Sequence, residues 1–540
     1  MRKLILGALS LALAACTTAS GPAPLTAASA AWIEGDVRYL ASDALEGRGI
    51  GTPGFAKASQ YVADRFAAVG AQPGGVDGSY FQPVGLLVTE YGDPAANTLS
   101  ISGPGAPEGL VAFENYVVGP SGKQASGEIE APLVFVGQGF VDPRRGRDDL
   151  AGVDLKGKIA VALWGAPDFL GSEEGAYFRG QRSRAIAARG AVGLITLSTP
   201  ALAKIWEWDN LVKAYRLAPD ATWIGADGTP WFDRGDMLAF IALNEAQSAR
   251  LMQGQPMDLA TAVATTNDPG GRFTPFEMGL TAKIGFDARQ KRITSRNVIG
   301  MVRGSDPALA GEYVVLSAHV DHLGVHPESE GEDHISNGAM DNASGTATLI
   351  DIARRLAADP PRRSVLLIAL TAEESGLIGS DYNAHNPTVP AGSVVADVNL
   401  DMPILTYPFT DVVAFGAERS TLFPAVQAAT RAAGVALTPD PNPEEGLFTR
   451  SDHYSWVRQG IPSVYLDTGP ANGGAEAFDA YMKAHYHDVS DEPDIIDYRQ
   501  AARFADLNYA IARNIANMDK RPVWKKGDFF ATMFGGAMEE

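Results

Sequence analysis

The sequence predicts an α/β fold. From about residue 285, short apolar runs alternate with segments of helical periodicity, the pattern of a sheet whose strands are joined through helices. Residues 314–318, 365–370, 394–400 and 462–466 read as strands. Residues 345–357 read as a helix, with Ala347, Ile350, Ile352, Ala353 and Leu356 as its buried positions. His319, the pair Glu373-Glu374 and Asp401 each lie just beyond the carboxyl end of one of these runs, the edge at which open α/β sheets build their sites.

The earlier part of the chain differs in character. Arg2 and Lys3 precede a short apolar stretch, 4–14, too short to span a bilayer as a mature helix. It ends in Leu13-Ala14-Ala15-Cys16, which resembles a bacterial lipobox, so 1–15 is expected to be a lipoprotein signal peptide and Cys16 the lipidated residue. The expected location is the cell envelope, with the membrane reached by the lipid anchor only. Thr17 after the cysteine resembles an outer-membrane address, on the periplasmic face or the cell surface. Cys16 is the only cysteine, which excludes an intrachain disulfide. Residues 16–29, rich in Thr, Ala, Ser, Gly and Pro, read as a flexible tether.

Residues 30–112 open with helical spacing at Trp32, Val37, Leu40 and Leu45, and again at Ala58, Tyr61, Val62 and Phe66, around a glycine-rich loop at 42–49. Residues 113–284 hold apolar strand-like runs at 133–136, 159–163 and 192–195 and contain no histidine. They read as a separate, non-catalytic module. The final stretch, 521–540, carries Trp524, Phe529, Phe530 and Phe534, and the sequence leaves open whether it packs on the body or on a partner. The net charge of −20 argues against nucleic acid or an anionic membrane surface as partner. The oligomeric state is not legible.

All eight histidines fall between His319 and His487. Imidazole and carboxylate are ligand types suited to zinc, and carboxylates also to manganese. His319 reads as a ligand, and Asp321, two residues on, as a carboxylate able to orient the far nitrogen of that ring. Asp341 stands before a helix, where it serves as cap or ligand. Glu373 and Glu374 are adjacent and point in different directions, so one can bind metal while the other faces water. Asp401 ends a strand. His487 and His485 compete for one role, and His322, His326, His334, His385 and His453 read as surface or supporting residues.

Five motifs in order resemble the co-catalytic di-zinc aminopeptidase family, which includes bacterial leucine aminopeptidases and glutamate carboxypeptidase-like enzymes. They are His319-Val-Asp321, Asp341-Asn342-Ala343-Ser344-Gly345, Glu373-Glu374-Ser375-Gly376 through Gly379-Ser380, Asn399-Leu400-Asp401-Met402, and Tyr486-His487 through Asp491. The resemblance implies a three-layer αβα catalytic domain with a mixed, mostly parallel sheet over 30–112 and 285–520, and a β-rich protease-associated insert over 113–284. It implies two zinc ions per chain, with cobalt or manganese as substitutes. His319 and Asp401 then hold one, Glu374 and His487 the other, Asp341 bridges them, and Glu373 is the general base. It favours His487 over His485. The implied reaction removes N-terminal residues from peptides through a bridging hydroxide. A carboxypeptidase or dipeptidase on the same site, with Arg450 and Arg419 as cations for a terminal carboxylate, and a non-catalytic binding protein are the alternatives. One departure stands out. Phe448 occupies the position, three residues before Ser451, where some relatives carry an oxyanion-stabilising tyrosine, which leaves Arg450 and Tyr454 as candidates.

Overall fold

The computed structural model describes residues 27–540 apart from 120–121, 206, 218–219, 233–234, 236 and 327–330. The signal segment 1–15, Cys16 and most of the expected tether lie outside the described residues. Helix α1 (Ala27–Leu40) already begins within the tether range. Helix α2 (Pro53–Ala68) starts at a capping threonine: the Thr52 hydroxyl accepts the Phe55 N–H at 3.2 Å, and Pro53 takes a first-turn position, where no intrahelical donor is needed.

After β1 (Phe81–Tyr91) come β2 (Tyr116–Gly119), β3 (Ser126–Phe135), β4 (Ile159–Leu163), helix α3 (Ser172–Ala187), β5 (Gly193–Leu197) and β6 (Ala239–Leu243). Strands β2–β6 form a sheet in the order β3-β4-β5-β6-β2, with two separate apolar cores on its faces. Ile159, Val161 and Leu163 enter one core and Ala160 and Ala162 the other, as period-two alternation requires. The 27-residue β7 (Phe276–Val302) leaves this sheet and enters the next.

The remaining strands are β8 (Tyr313–His319), β9 (Ser364–Leu370), β10 (Val394–Asn399), β11 (Asp411–Phe415), β12 (Ala436–Leu437) and β13 (Ser463–Thr468). Their order is β12-β11-β13-β10-β8-β9-β7. Strands β9, β8, β10 and β13 are mutually parallel, and β7 and β11 pair antiparallel at the flanks. The sheet is therefore mixed and mostly parallel. Helices cover both faces: α1, α2, α4 (Gly345–Ala358) and α7 (Tyr498–Ala516) on one side, and α5 (Ile378–His385) and α6 (His453–Val457) on the other. Val314, Leu316 and Ala318 of β8 enter the first core and Val315 the second. Burial on both faces explains why these strands read as continuous apolar runs.

The boundaries differ from the expectation. β7 crosses residue 284 without a break, and Thr98–Ser102, expected with the catalytic half, pairs with 281–285 and buries Leu99 in the other core. Conversely, Asp220–Trp223 pairs with β1, and the Trp223 indole donates to Asp381 on α5 at 2.8 Å. A strand shared by two sheets has no composition change to mark the crossing. The C-terminal stretch packs on the body. Trp524 and the residues of α8 (Phe529–Phe534) join Phe140 and Phe178 from the first sheet's region and Phe415 and Phe448 from the second in one core. The Trp524 indole donates to the Gly460 carbonyl at 2.8 Å. Among the described residues no helix is long and apolar enough to cross a membrane.

Candidate metal centre

His319 is the last residue of β8. Its ring donates from Nδ1 to the Asp321 backbone carbonyl at 3.1 Å, which leaves the Nε2 lone pair facing Asp401 Oδ1 at 3.1 Å and Asp341 Oδ1 at 3.2 Å. The Asp321 carboxylate does not reach the ring. It accepts the Glu373 N–H at 3.2 Å instead. The expected same-side relation lapses because the strand ends at His319 and the chain turns away. Asp321 thus orients His319 through its carbonyl and fixes the loop of Glu373 through its side chain.

Asp341 precedes α4 with both carboxylate oxygens engaged. Oδ1 faces His319, and Oδ2 lies 3.4 Å from His487 Nε2. The capping role falls to Asn342, whose Oδ1 accepts the Gly345 N–H at 2.9 Å while its amide donates to the Leu400 carbonyl beside Asp401. The Asp341–Asn342 peptide bond is cis. The buried Asp491 carboxylate accepts the N–H groups of Met340 and Asp341 at 2.9 and 3.1 Å and the Tyr481 hydroxyl at 3.1 Å, which ties the Asp341 loop to the loop of His487.

Glu374 Oε2 lies 3.2 Å from His487 Nε2. Tyr486 stacks on the His487 ring at 3.9 Å between centroids. His485 turns away and bonds Ser490. Asp401, beyond β10, accepts the Ser451 hydroxyl, which itself receives the Asn399 amide at 2.6 Å. His319, Asp341, Glu373, Glu374, Asp401 and His487 come from five separate segments and meet at the carboxyl edge of the parallel strands. His319, Asp341 and Asp401 form a buried group of ligand type within 4.8 Å, and His322, Asp341 and the partly buried Glu374 form a second such group.

The sequence left His322 between a surface and a supporting place. This residue is buried in the cluster, with Nδ1 2.6 Å from Glu374 Oε1. Its spacing of three from His319 was the available signal. His453 is also fully buried, between Phe448 and Tyr465, and not at the surface. Arg48, from the glycine-rich loop, is 1 % exposed and donates to four carbonyls: Val320 at 2.7 Å, Leu40 at 2.6 Å, Asn337 at 2.5 Å and Gly338 at 2.9 Å. It therefore clamps the two segments that lead to Asp321 and Asp341. Tyr454 packs among Phe448, Phe530 and Phe534, Arg450 pairs with Glu445, and Arg419 pairs with Glu173 and Asp528.

The electrostatics suit a cation. Burial opposes a charged imidazole at His487, but Glu374 and Asp341 outweigh it and push its pKa up to about 10. Burial likewise opposes a charge on His319, and Asp401 and Glu373 still raise it well above the usual range. Protons and divalent metals compete for the same nitrogen lone pairs, and buried carboxylates in this number require positive charge beside them. The donor set of imidazoles and carboxylates fits zinc. Glu373 differs from its neighbour: burial, then the charges of Asp401 and Glu374, hold its pKa well above the ordinary carboxylate value, whereas His487 and His322 hold Glu374 below it.

Residues 297–512 match the profile of peptidase family M28. A relative described as probable glutamate carboxypeptidase AMP1, from Arabidopsis thaliana, is 34% identical over 142 residues, 25% of this chain and 18% of its own. A probable glutamate carboxypeptidase of Arthroderma benhamiae is 26% identical over 452 residues, covering 75% of this chain and 56% of its own. The chain spans no more than about half the length of the first curated relatives it matches. Among solved structures, the aminopeptidase from Aneurinibacillus sp. strain AM-1 superposes with a TM-score of 0.52 at 20% identity, over 89% of this chain and 92% of that one, a likeness of fold.

Proposed function

Residues 297–512 belong to peptidase family M28, and from that premise we propose that the protein is a two-metal exopeptidase that removes N-terminal residues from peptides. The observation that carries the reading is the convergence of His319, Asp341, Glu373, Glu374, Asp401 and His487 on one site. In this reading His319 and Asp401 hold one metal, Glu374 and His487 the other, and Asp341 contacts both. Bound zinc supplies Lewis acidity and lets water ionise near neutral pH. Glu373 takes the proton of the attacking water at its carboxylate and returns it to the departing amine nitrogen, a task for which a raised pKa is suited. Asp321 and Asp491 hold the two ligand loops in register.

The choice of an aminopeptidase over a carboxypeptidase rests on charge. The site is rich in carboxylates, which attract a cationic terminus. Arg419 and Arg450, the arginines weighed for a terminal carboxylate, are engaged by Glu173, Asp528 and Glu445. The region around β2–β6 is proposed to be a protease-associated insert over roughly 113–284, and Cys16 a lipid attachment site that leaves the enzyme on the cell envelope. Palmitate labelling of the Cys16→Ala protein, expected to be lost, checks the latter.

The test is metal content by mass spectrometry on protein lacking 1–16, with hydrolysis of Leu-, Ala- and Lys-nitroanilides measured before and after chelation. About two zinc ions per chain, and activity lost on chelation and restored by zinc, is the expected result. Two ions with hydrolysis confined to N-blocked peptides bearing a free carboxylate would replace the aminopeptidase with a carboxypeptidase. One ion or none would refute the two-metal site.

A further inference from the structure

His322 is a third imidazole in the cluster, and nothing in the ligand set described above uses it. Its side chain is fully buried. Nδ1 lies 2.6 Å from Glu374 Oε1, while the other oxygen of Glu374 faces His487 at 3.2 Å. Nδ1 lies farther from Asp341 Oδ2, at 4.0 Å. The ring is pressed against the backbone of Gly338. A Cβ at that position would stand 2.5 Å from the ring carbons Cγ and Cδ2, and Gly338 has a φ of 58°, in the region glycine adopts freely. The backbone N–H of His322 donates to the Arg48 carbonyl at 3.4 Å, which ties this residue to the Arg48 loop.

Nε2 of His322 is buried and has no hydrogen-bond partner among the described residues. A proton there would be a stranded donor, whereas a bare lone pair is the less costly of the two. The proton therefore belongs on Nδ1, where it meets Glu374 Oε1. An Nδ1 that carries a proton cannot also donate a lone pair to a metal.

We propose that His322 is a positioning residue for Glu374: its Nδ1–H occupies Oε1 and turns Oε2 toward the metal shared with His487 and Asp341. This rests on the two-metal reading above. It reverses the usual arrangement, in which a carboxylate orients a metal-binding histidine, but the hydrogen bond and its consequence are the same. Glu374 would then offer a single oxygen, Oε2, to a metal held with His487 and Asp341.

The experiment compares the full chain with His322→Ala, His322→Asn and His322→Gln for affinity toward the second zinc, by titration against a competing chelator, with no substrate present. Asn places an amide N–H near the position of Nδ1. Gln fills similar space but reaches toward Nε2. His322→Ala and His322→Gln are expected to bind the second zinc about 10–100-fold more weakly, and His322→Asn within about threefold of the natural protein. Melting of the metal-free proteins separates a folding defect from lost affinity, because Gln and Asn differ little in size and should melt alike. Equal loss in Asn and Ala would make Nδ1 a metal ligand and overturn the positioning role. Unchanged affinity in all three would overturn it as well. A natural protein that takes up fewer than two metals would instead refute the reading on which the proposal rests.

Discussion

Arg48 is far from the proposed metal ligands in sequence, yet its replacement should weaken both the fold and the centre. In Arg48→Met the stem is kept and the four donors to Val320, Leu40, Asn337 and Gly338 are lost. Each buried carbonyl left unpaired costs about 1–3 kcal/mol. Deleting the guanidinium also removes the cost of burying its charge, which pulls its pKa down to about 10, and this recovers part of the loss. The net expectation is roughly 3–5 kcal/mol of lost stability. In a domain of this size that lowers the melting temperature by roughly 10 °C. Because Val320 adjoins both His319 and Asp321, and Gly338 leads into Asp341, zinc affinity should fall by about 10–100-fold. Arg48→Lys, which cannot reproduce the fork, should fall between. The assays are thermal melting of the metal-free protein and chelator competition. A Met variant that melts within 1–2 °C of the natural protein, roughly the response to a surface change, would refute the clamp. Reduced stability with unchanged zinc affinity would refute its link to the centre.

Three further outcomes are expected. Glu373→Gln should retain both metals and lower turnover by roughly 10²–10⁴-fold, and activity retained in this variant would remove Glu373 from the role of base. Asp341→Ala should lose metal together with activity, as measured by mass spectrometry, and a fully loaded variant would exclude its contact with both ions. His453 sets an acid limit on stability. Burial holds its pKa at about 3, against 6.5 for an exposed histidine. The unfolded chain therefore binds the proton first, and stability present above about pH 6.5 is lost as the pH falls toward 3. At pH 4.5 the cost is about 3 kcal/mol, so His453→Phe should flatten the decline in melting temperature between pH 7 and 4.5. An unaltered decline would assign it to other groups.

The legible part of the site is the part whose chemistry recurs in fixed spacing. His319, Glu373, Glu374 and Asp401 follow apolar strands and Asp341 precedes a helix; the sheet brings those ends to one edge, and His487 joins them from the loop after the helix Gly474–Ala484. The strands themselves were legible because both faces are buried, which makes β8, β9 and β10 unbroken apolar runs. Less legible were residues whose role depends on contacts across hundreds of positions. Arg48 in a glycine-rich loop looks like any exposed cation until Val320 and Gly338 are seen around it. His322 read as a surface or supporting residue, with the choice left open, because its partner, Glu374, lies 52 positions away.

The sequence by itself determined the α/β class, the strands and the imidazole and carboxylate chemistry of the candidate site, since hydrophobic period and side-chain chemistry are local properties. Tertiary structure alone decided which nitrogen of each histidine faces the cluster and which carboxylate oxygen meets it. It also decided that Asp321 acts on His319 through its backbone, that β7 serves two sheets, and that the aromatic tail packs on the body. These choices depend on where chain ends and turns fall in space, and hydrogen bonds and burial between distant segments, which no local pattern encodes, settle them.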